Sequence, residues 1–329
     1  MSSTVVRAKA IVAPVSRELG LVEAELEKIF SSPIDLISAI GRHLATVKGK
    51  RIRPALVLLS AKIGNPDMAS AIKVGVAIEV IHTATLVHDD SIDRSSLRRG
   101  LPTINRLWND QVSVIMGDYL FCKAFRLLHE SRLFEAAAIL SRGSDTMTYG
   151  EMTQMDLRGR YDVSEEAYLA MVKHKTAALF ASACEAGSML GGLSDAEKIK
   201  LTKYGELIGT AFQIVDDILD FVGDQDLTGK PVGNDLRDCR VTLPLIVALR
   251  NGSRSDVAMI RGLIDSGRFE GSDWIEIVGF IQNNGGIDYS HDLARRLATE
   301  AAGCIADLRD CPAKNALILL ADHVFARKN

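Results

Sequence analysis

Only 8 prolines interrupt the 329 residues, and the long stretches between them repeat apolar residues at steps of three and four. Proline inside a helix removes a hydrogen bond and clashes with the preceding turn. Proline-free stretches with this period are therefore free to be helices. From Ala71 to Asp93, residues Val74, Ala77, Ile78, Ile81 and Thr85 recur on one helix face. Similar patterns run over Asp110–Leu128, Leu133–Leu157, Ser164–Leu190, Asp195–Val222, Ser255–Ser266, Asp288–Leu308 and Pro312–Ala326. Ser164 precedes Glu165-Glu166-Ala167 as an N-cap would, and Ser194-Asp195-Ala196-Glu197 has the form of a capping box. No strand series appears, since Val112-Ser113-Val114-Ile115 lies inside a helical pattern. The expectation is an all-α, single-domain chain over residues 1–329 with about a dozen helices. Residues 1–24 are expected to be an N-terminal helical extension.

Charge and cysteine usage narrow the class of function. The formal net charge of −3 offers no basic field for nucleic acid. The 5 cysteines are scattered and never form a Cys-x-x-Cys pair, so neither a disulfide framework nor a zinc ribbon is expected. Reduced thiols fit a cytoplasmic protein. Met1–Pro14 lacks the apolar core of a secretion signal. No run is read as reaching the ~18 apolar residues of a membrane span. A soluble protein is expected.

Three stretches break the helical pattern and carry polar residues: Lys48–Pro54, Arg94–Thr103 and Gly223–Thr242. Two of them follow acidic clusters. Asp89-Asp90-x-x-Asp93 and Asp216-Asp217-x-x-Asp220 each put carboxylates four residues apart on one helix face, where they repel unless a cation compensates. Apolar residues precede both, Thr83-Ala84-Thr85-Leu86-Val87 and Phe212-Gln213-Ile214-Val215. All-oxygen ligands suit Mg²⁺, which keeps waters and shares its shell with substrate phosphates. Cations stand nearby in sequence: Gly49-Lys50-Arg51-Ile52-Arg53-Pro54, Arg98-Arg99-Gly100, Lys173, Lys175 with Thr176, and Thr228-Gly229-Lys230-Pro231. Arginine meets phosphate oxygens two-pronged, and lysine acts as a mobile charge. Together they point to a highly anionic ligand held by metal and cations. His82 lies two turns before Asp89 and is read as a donor to an anion, and His88 as a packing or supporting residue.

Leu86-Val87-His88-Asp89-Asp90-Ser91-Ile92-Asp93 with Arg98-Arg99-Gly100, the Phe212–Asp220 stretch and the Gly49–Pro54 stretch together resemble the trans-type polyprenyl diphosphate synthases. The resemblance covers about residues 25–328, and His82-Thr83-Ala84-Thr85-Leu86 resembles octaprenyl synthases more than farnesyl or geranylgeranyl ones. It implies helices around a deep central cavity, usually in a homodimer. It also implies addition of isopentenyl diphosphate to an allylic diphosphate such as farnesyl or geranyl diphosphate. By that likeness Asp89 and Asp93 bind two Mg²⁺ ions and Asp216 a third. Asp90, Asp217 and Asp220 support them from behind the metal ligands or through water. Arg98, Lys175, Thr176, Gln213 and Lys230 hold the allylic diphosphate, with Lys175 and Arg98 counted among the catalytic groups. Lys50, Arg53, His82 and Arg99 hold isopentenyl diphosphate. Gln154 and Asp156 are weaker candidates on a helix that usually faces the same cavity. Two departures stand out. Lys48-Gly49 replaces the family's Gly-Gly, and Asp238-Cys239-Arg240 replaces its acidic-Gly-Lys, leaving a phosphate role for Arg240 open.

Product length in this family is set by what blocks the cavity beneath the first motif. Ala84 and Thr85 occupy positions where short-chain enzymes carry a bulky aromatic, and Ile81, Ile78, Ala77 and Val74 continue without one. From Val74 to Asp89 a helix rises about 22 Å. Phe121, Phe125 and Leu128 sit on one side of the expected facing helix, with Phe125 and Leu128 either the floor or ordinary core. The expectation is a product of about forty carbons for a respiratory quinone of the ubiquinone type, released with transient membrane contact. A farnesyl or geranylgeranyl synthase, a terpene cyclase and a non-catalytic synthase subunit are the rivals. The second aspartate motif and the Lys50/Arg53 cluster argue against a cyclase, and retention of both motifs argues against an inactive subunit.

Overall fold

The computed structural model describes residues 9–47, 49–223, 233–267 and 269–325. The chain is all-α, as its periodicity predicts. Its helices are α1 (Ser16–Phe30), α2 (Asp35–Thr46), α3 (Ile52–Ile63), α4 (Met68–Ile92), α5 (Ile104–Leu107), α6 (Asp110–Glu130) and α7 (Phe134–Leu157). They continue as α8 (Glu165–Val172), α9 (Ala178–Leu190), α10 (Asp195–Val222), α11 (Asn234–Arg237), α12 (Leu243–Asn251), α13 (Arg254–Asp265), α14 (Gly271–Asn283), α15 (Gly286–Cys304) and α16 (Pro312–Phe325). Both expected caps form. Ser164 Oγ accepts from the Ala167 N–H, and Ser194 and Glu197 bond reciprocally.

Two features differ from the sequence reading. The expected single helix over Ser164–Leu190 contains a π-helical turn, Lys173–Ala177, between α8 and α9. A two-stranded hairpin, Leu97–Arg98 paired antiparallel with Leu101–Pro102, forms in the stretch expected to be loop. Arg99 and Gly100 make its turn with φ of 52° and 76°, the left-handed pair that a two-residue hairpin of this hand requires.

The chain forms two compact units. The first comprises Met1–Ser144, Leu179–Gly205 and Cys304–Leu320, the second Asp145–Ala178, Glu206–Gly303 and Ala321–Asn329. In the first, α4 is the central element, packed by α1, α3 and α6. Val74, Ala77, Ile78, Ile81 and Ala84 are fully buried. By length and composition α4 could cross a membrane, contrary to the sequence expectation that no run comes close. A helix apolar all round is also what the middle of a core demands, and most of its apolar window is buried. Gly117 on α6 leaves room for the His88 ring of α4, since a Cβ there would lie 2.1 Å from His88 Nε2. The second unit packs Phe221, Leu236, Leu245, Ile260, Ile277 and Phe280 into its own core.

Candidate active site

In the first unit the last turn of α4 presents Asp89 and Asp93, both half-buried and one turn apart. Asp90 points the other way and is buried. The hairpin explains how it is tolerated. Its turn brings Arg98 back over α4, where Nε donates to both Asp90 oxygens at 2.8 Å and Nη2 lies 2.7 Å from Oδ1. Asn105 Nδ2 donates to the Asp90 and Ser95 carbonyls, tying the returning chain to the helix end. A buried carboxylate left without such a partner would be strongly destabilising.

Beside this pair lies a cavity lined by Arg51, Glu79, His82, Asp90, Arg98 and Arg99, closed on its apolar side by residues such as Phe30 and Leu86. His82 is held well below the usual histidine range, first by burial and then by Arg53, Arg98, Arg99 and Arg51. It is thus a neutral imidazole in a positive surround. Arg99 is also lowered, by burial and by Arg98, with Glu79 opposing. The Arg53 guanidinium stacks 4.7 Å over the Phe180 ring. Of the four residues expected to hold isopentenyl diphosphate, His82 and Arg99 line this cavity, Arg53 acts electrostatically on His82, and Lys50 is exposed on the turn before α3. Arg51 was expected only as one of the cations of the Gly49–Pro54 stretch, and Glu79 and Glu23 were not anticipated. Arg51 donates to Glu23 from Nε at 2.5 Å and to Glu79 from Nη1 at 2.7 Å. An acid between Ile78 and Val80 in a buried helix was the available signal for Glu79; nothing in the local pattern marks Glu23.

In the second unit α10 carries Asp216, half-buried, and Asp217, buried. Asp217 accepts from Tyr168 Oη at 2.5 Å and Gln213 Nε2 at 2.7 Å. Gln213 in turn accepts from Thr176 Oγ1 at 2.8 Å. Burial first, and then Asp216 and Asp220, push the Asp217 carboxyl up to about 7 against these hydrogen bonds. Asp220 accepts from the backbone N–H groups of Asn234 and Asp235, so it caps α11 and folds the chain back after the motif. Lys175 reaches Glu151 at 2.6 Å and Gln154 Oε1 at 2.7 Å. The π-helical turn sets its direction, and α7 can lie against it because Gly150 has no side chain: a Cβ there would be 2.3 Å from the Lys175 nitrogen. π-helical turns of this kind recur at functional sites.

Some expected residues fall elsewhere. Asp156 is exposed and lies 3.7 Å from Arg160 one turn on, so Gln154 reaches Lys175 and Asp156 does not. Gln154 and Asp156 are two residues apart, about 200° around the helix, so their side chains point to opposite faces. Arg240 lies 3.7 Å from Asp235 and 3.6 Å from Asp238. Lys230 lies outside the described residues. Ala84 and Ile81 are buried on α4, Thr85 is half-buried, and on α6 Phe125 is half-buried and Leu128 buried. His88 joins these helices: its Nε2 lies 3.0 Å from the Val114 carbonyl, and its ring stacks on Phe121.

The donor sets have a clear chemical bias. Among the described residues no three His, Cys, Asp or Glu side chains converge on one point. A cation at Asp89 and Asp93 would complete its shell with water and ligand oxygens. That fits Mg²⁺ and does not fit a closed zinc site.

The polyprenyl synthetase family model matches residues 34–278. The chain is 35% identical over 312 residues to an all-trans-nonaprenyl-diphosphate synthase (geranyl-diphosphate specific) of Rhodobacter capsulatus, covering 94% of this chain and 95% of that one. It is 32% identical over 325 residues to a geranylgeranyl diphosphate synthase of Methanosarcina mazei, covering 97% and 98%. Among solved structures, a polyprenyl synthase from Caulobacter crescentus CB15 complexed with calcium and isoprenyl diphosphate superposes with a TM-score of 0.93 at 33% identity, covering 98% of each chain.

Proposed function

Because the chain belongs to the polyprenyl synthetase family, we propose that it makes a long all-trans polyprenyl diphosphate of about forty carbons, for a quinone side chain of the ubiquinone type. Prenyl transfer follows from the family; product length does not, since the relatives named above make products of different lengths. One observation carries the long product. Ala84, Ile81, Ile78, Ala77 and Val74 form a buried, non-aromatic run on α4 below Asp89, and Val74 lies about 22 Å from Asp89 along the helix. Phe125 and Leu128 are the candidate floor.

In this reading Asp89, Asp93 and Asp216 hold Mg²⁺, which supplies charge stabilisation for the departing diphosphate when bound. Arg98, Lys175, Thr176 and Gln213 orient the allylic diphosphate. Their positive charge and N–H or O–H donors favour ionisation of the allylic C–O bond, because charge develops on the leaving oxygens. His82, Arg53, Lys50 and Arg99 hold the diphosphate of isopentenyl diphosphate. The double bond of isopentenyl diphosphate attacks the allylic cation, and the proton then lost passes to the released diphosphate. A neutral His82 donates one N–H without competing as a base at neutral pH. The aliphatic wall excludes water that would quench the cation. The enzyme acts as a cytoplasmic homodimer with transient membrane contact at product release.

The test is product analysis with farnesyl diphosphate, labelled isopentenyl diphosphate and Mg²⁺. A dominant fifteen- or twenty-carbon product overturns the long-chain reading. Ala84→Tyr is expected to shorten the product, and an unchanged length would show that the growing chain runs elsewhere.

A further inference from the structure

We propose that Arg51 is a positioning residue for isopentenyl diphosphate: Glu23 and Glu79 clamp it so that the turn it occupies delivers Lys50 and Arg53 to the ligand. This rests on the reading of the His82–Arg99 cavity as the isopentenyl diphosphate site. Arg51 is the N-cap residue of α3 and has φ 49°, a left-handed conformation that a bulky residue keeps only when its surroundings hold it.

Two carboxylates do the holding. Nε and Nη2 donate to the two oxygens of Glu23 at 2.5 and 3.1 Å, the two-pronged geometry peculiar to arginine. Nη1 donates to Glu79 at 2.7 Å. Glu79 is 5% exposed, and an acid so placed needs a cation to be tolerated. The neighbouring backbone is fitted to this cluster. A Cβ on Gly49 would lie 3.0 Å from Arg99 Nη1, 3.3 Å from Arg51 Nη1 and 3.5 Å from Glu79 Oε1. Glu79 also acts electrostatically on Arg99.

The division of labour follows from charge. Arg51 faces two carboxylates, so its own charge is matched within the protein. Lys50 stands one residue before it and Arg53 two after, on the same turn into α3. Fixing Arg51 therefore fixes where both begin. Glu23 lies on α1, so a helix without a residue in the expected ligand set takes part in shaping the site.

The test is steady-state kinetics of the full chain, with each substrate varied separately. Arg51→Gly keeps a left-handed backbone accessible and removes the side chain. Glu79→Gln keeps the shape and removes the charge. Both are expected to raise KM for isopentenyl diphosphate roughly tenfold or more, with kcat and the allylic KM within about twofold. Arg51→Lys should recover part of the loss. An isopentenyl diphosphate KM unchanged in Arg51→Gly overturns the proposal. So does a uniform loss in kcat and both KM values with a lowered Tm, which would mean a purely structural role. Should those variants not fold, the half-exposed Glu23→Gln decides: a selective rise in the same KM supports the clamp, and no change overturns it. A wild-type chain that does not consume isopentenyl diphosphate overturns the substrate reading itself, before any variant is compared.

Discussion

At the end of α4 the buried Asp90 is met by the Arg98 guanidinium, whereas on α10 the buried Asp217 is met by the neutral donors of Tyr168 and Gln213. The two motifs have the same spacing of aspartates. In the first, the middle carboxylate is compensated by a full charge. In the second it is compensated only by dipoles, and Asp216 and Asp220 repel it. The difference teaches that a repeated motif need not carry a repeated electrostatic arrangement. The outer aspartates are all half-buried, and the middle ones are anchored by different chemistry.

The largest expected effect tests what the motifs share. Asp89→Ala and Asp216→Ala should each lower turnover by roughly 100-fold or more in a steady-state assay with saturating Mg²⁺. Retained activity in either would show that the two clusters are not equivalent in the reaction.

The next prediction tests how they differ. Arg98→Ala removes the guanidinium from the Asp90 carboxylate, which is 8% exposed at its side chain, and should cost about 3 kcal/mol of stability in urea denaturation. Tyr168→Phe removes one neutral donor from Asp217 and should cost only about 1 to 2 kcal/mol. Equal costs would erase the distinction.

The pH dependence sharpens it. Burial and the flanking acids push Asp217 from 3.8 up to about 7. Between those values the folded chain holds a proton that the unfolded chain has released. Stability from this group is therefore fully present below the unfolded value, and it falls as pH rises towards 7. In the absence of divalent cations, Asp217→Asn should flatten the stability curve across that window, as followed by urea denaturation at several pH values. An unaltered slope would place the titration elsewhere.

The smallest effect concerns the loop after the second motif. Cys239 has φ 57°, a left-handed backbone that favours glycine. Cys239→Gly should relieve the left-handed strain and raise stability by roughly 0.5 to 1 kcal/mol, visible as a higher Tm. Arg240 is already engaged with Asp235 and Asp238, so the same variant should leave the isopentenyl diphosphate KM unchanged.

Much of the scaffold was legible because helical periodicity and capping are local. The α4, α6 and α10 spans lie within a few residues of those read from the spacing of apolar residues. The Ser194–Glu197 box could be read because its partners are three residues apart. The hairpin escaped because Leu97–Arg98 and Leu101–Pro102 are too short to show alternation. The π-helical turn escaped because its residues are as helix-compatible as their neighbours.

By itself the sequence determined that the chain is helical, where its acidic motifs lie on those helices, and which cations stand close to them along the chain. Only the tertiary structure decided what each charge is paired with. Arg98 is eight residues from Asp90, but Arg51 is 28 residues from both Glu23 and Glu79, and Tyr168 is 49 from Asp217. Helix spacing relates residues three or four apart. Compensation of a buried charge is a contact between segments, so it is settled only when the helices pack.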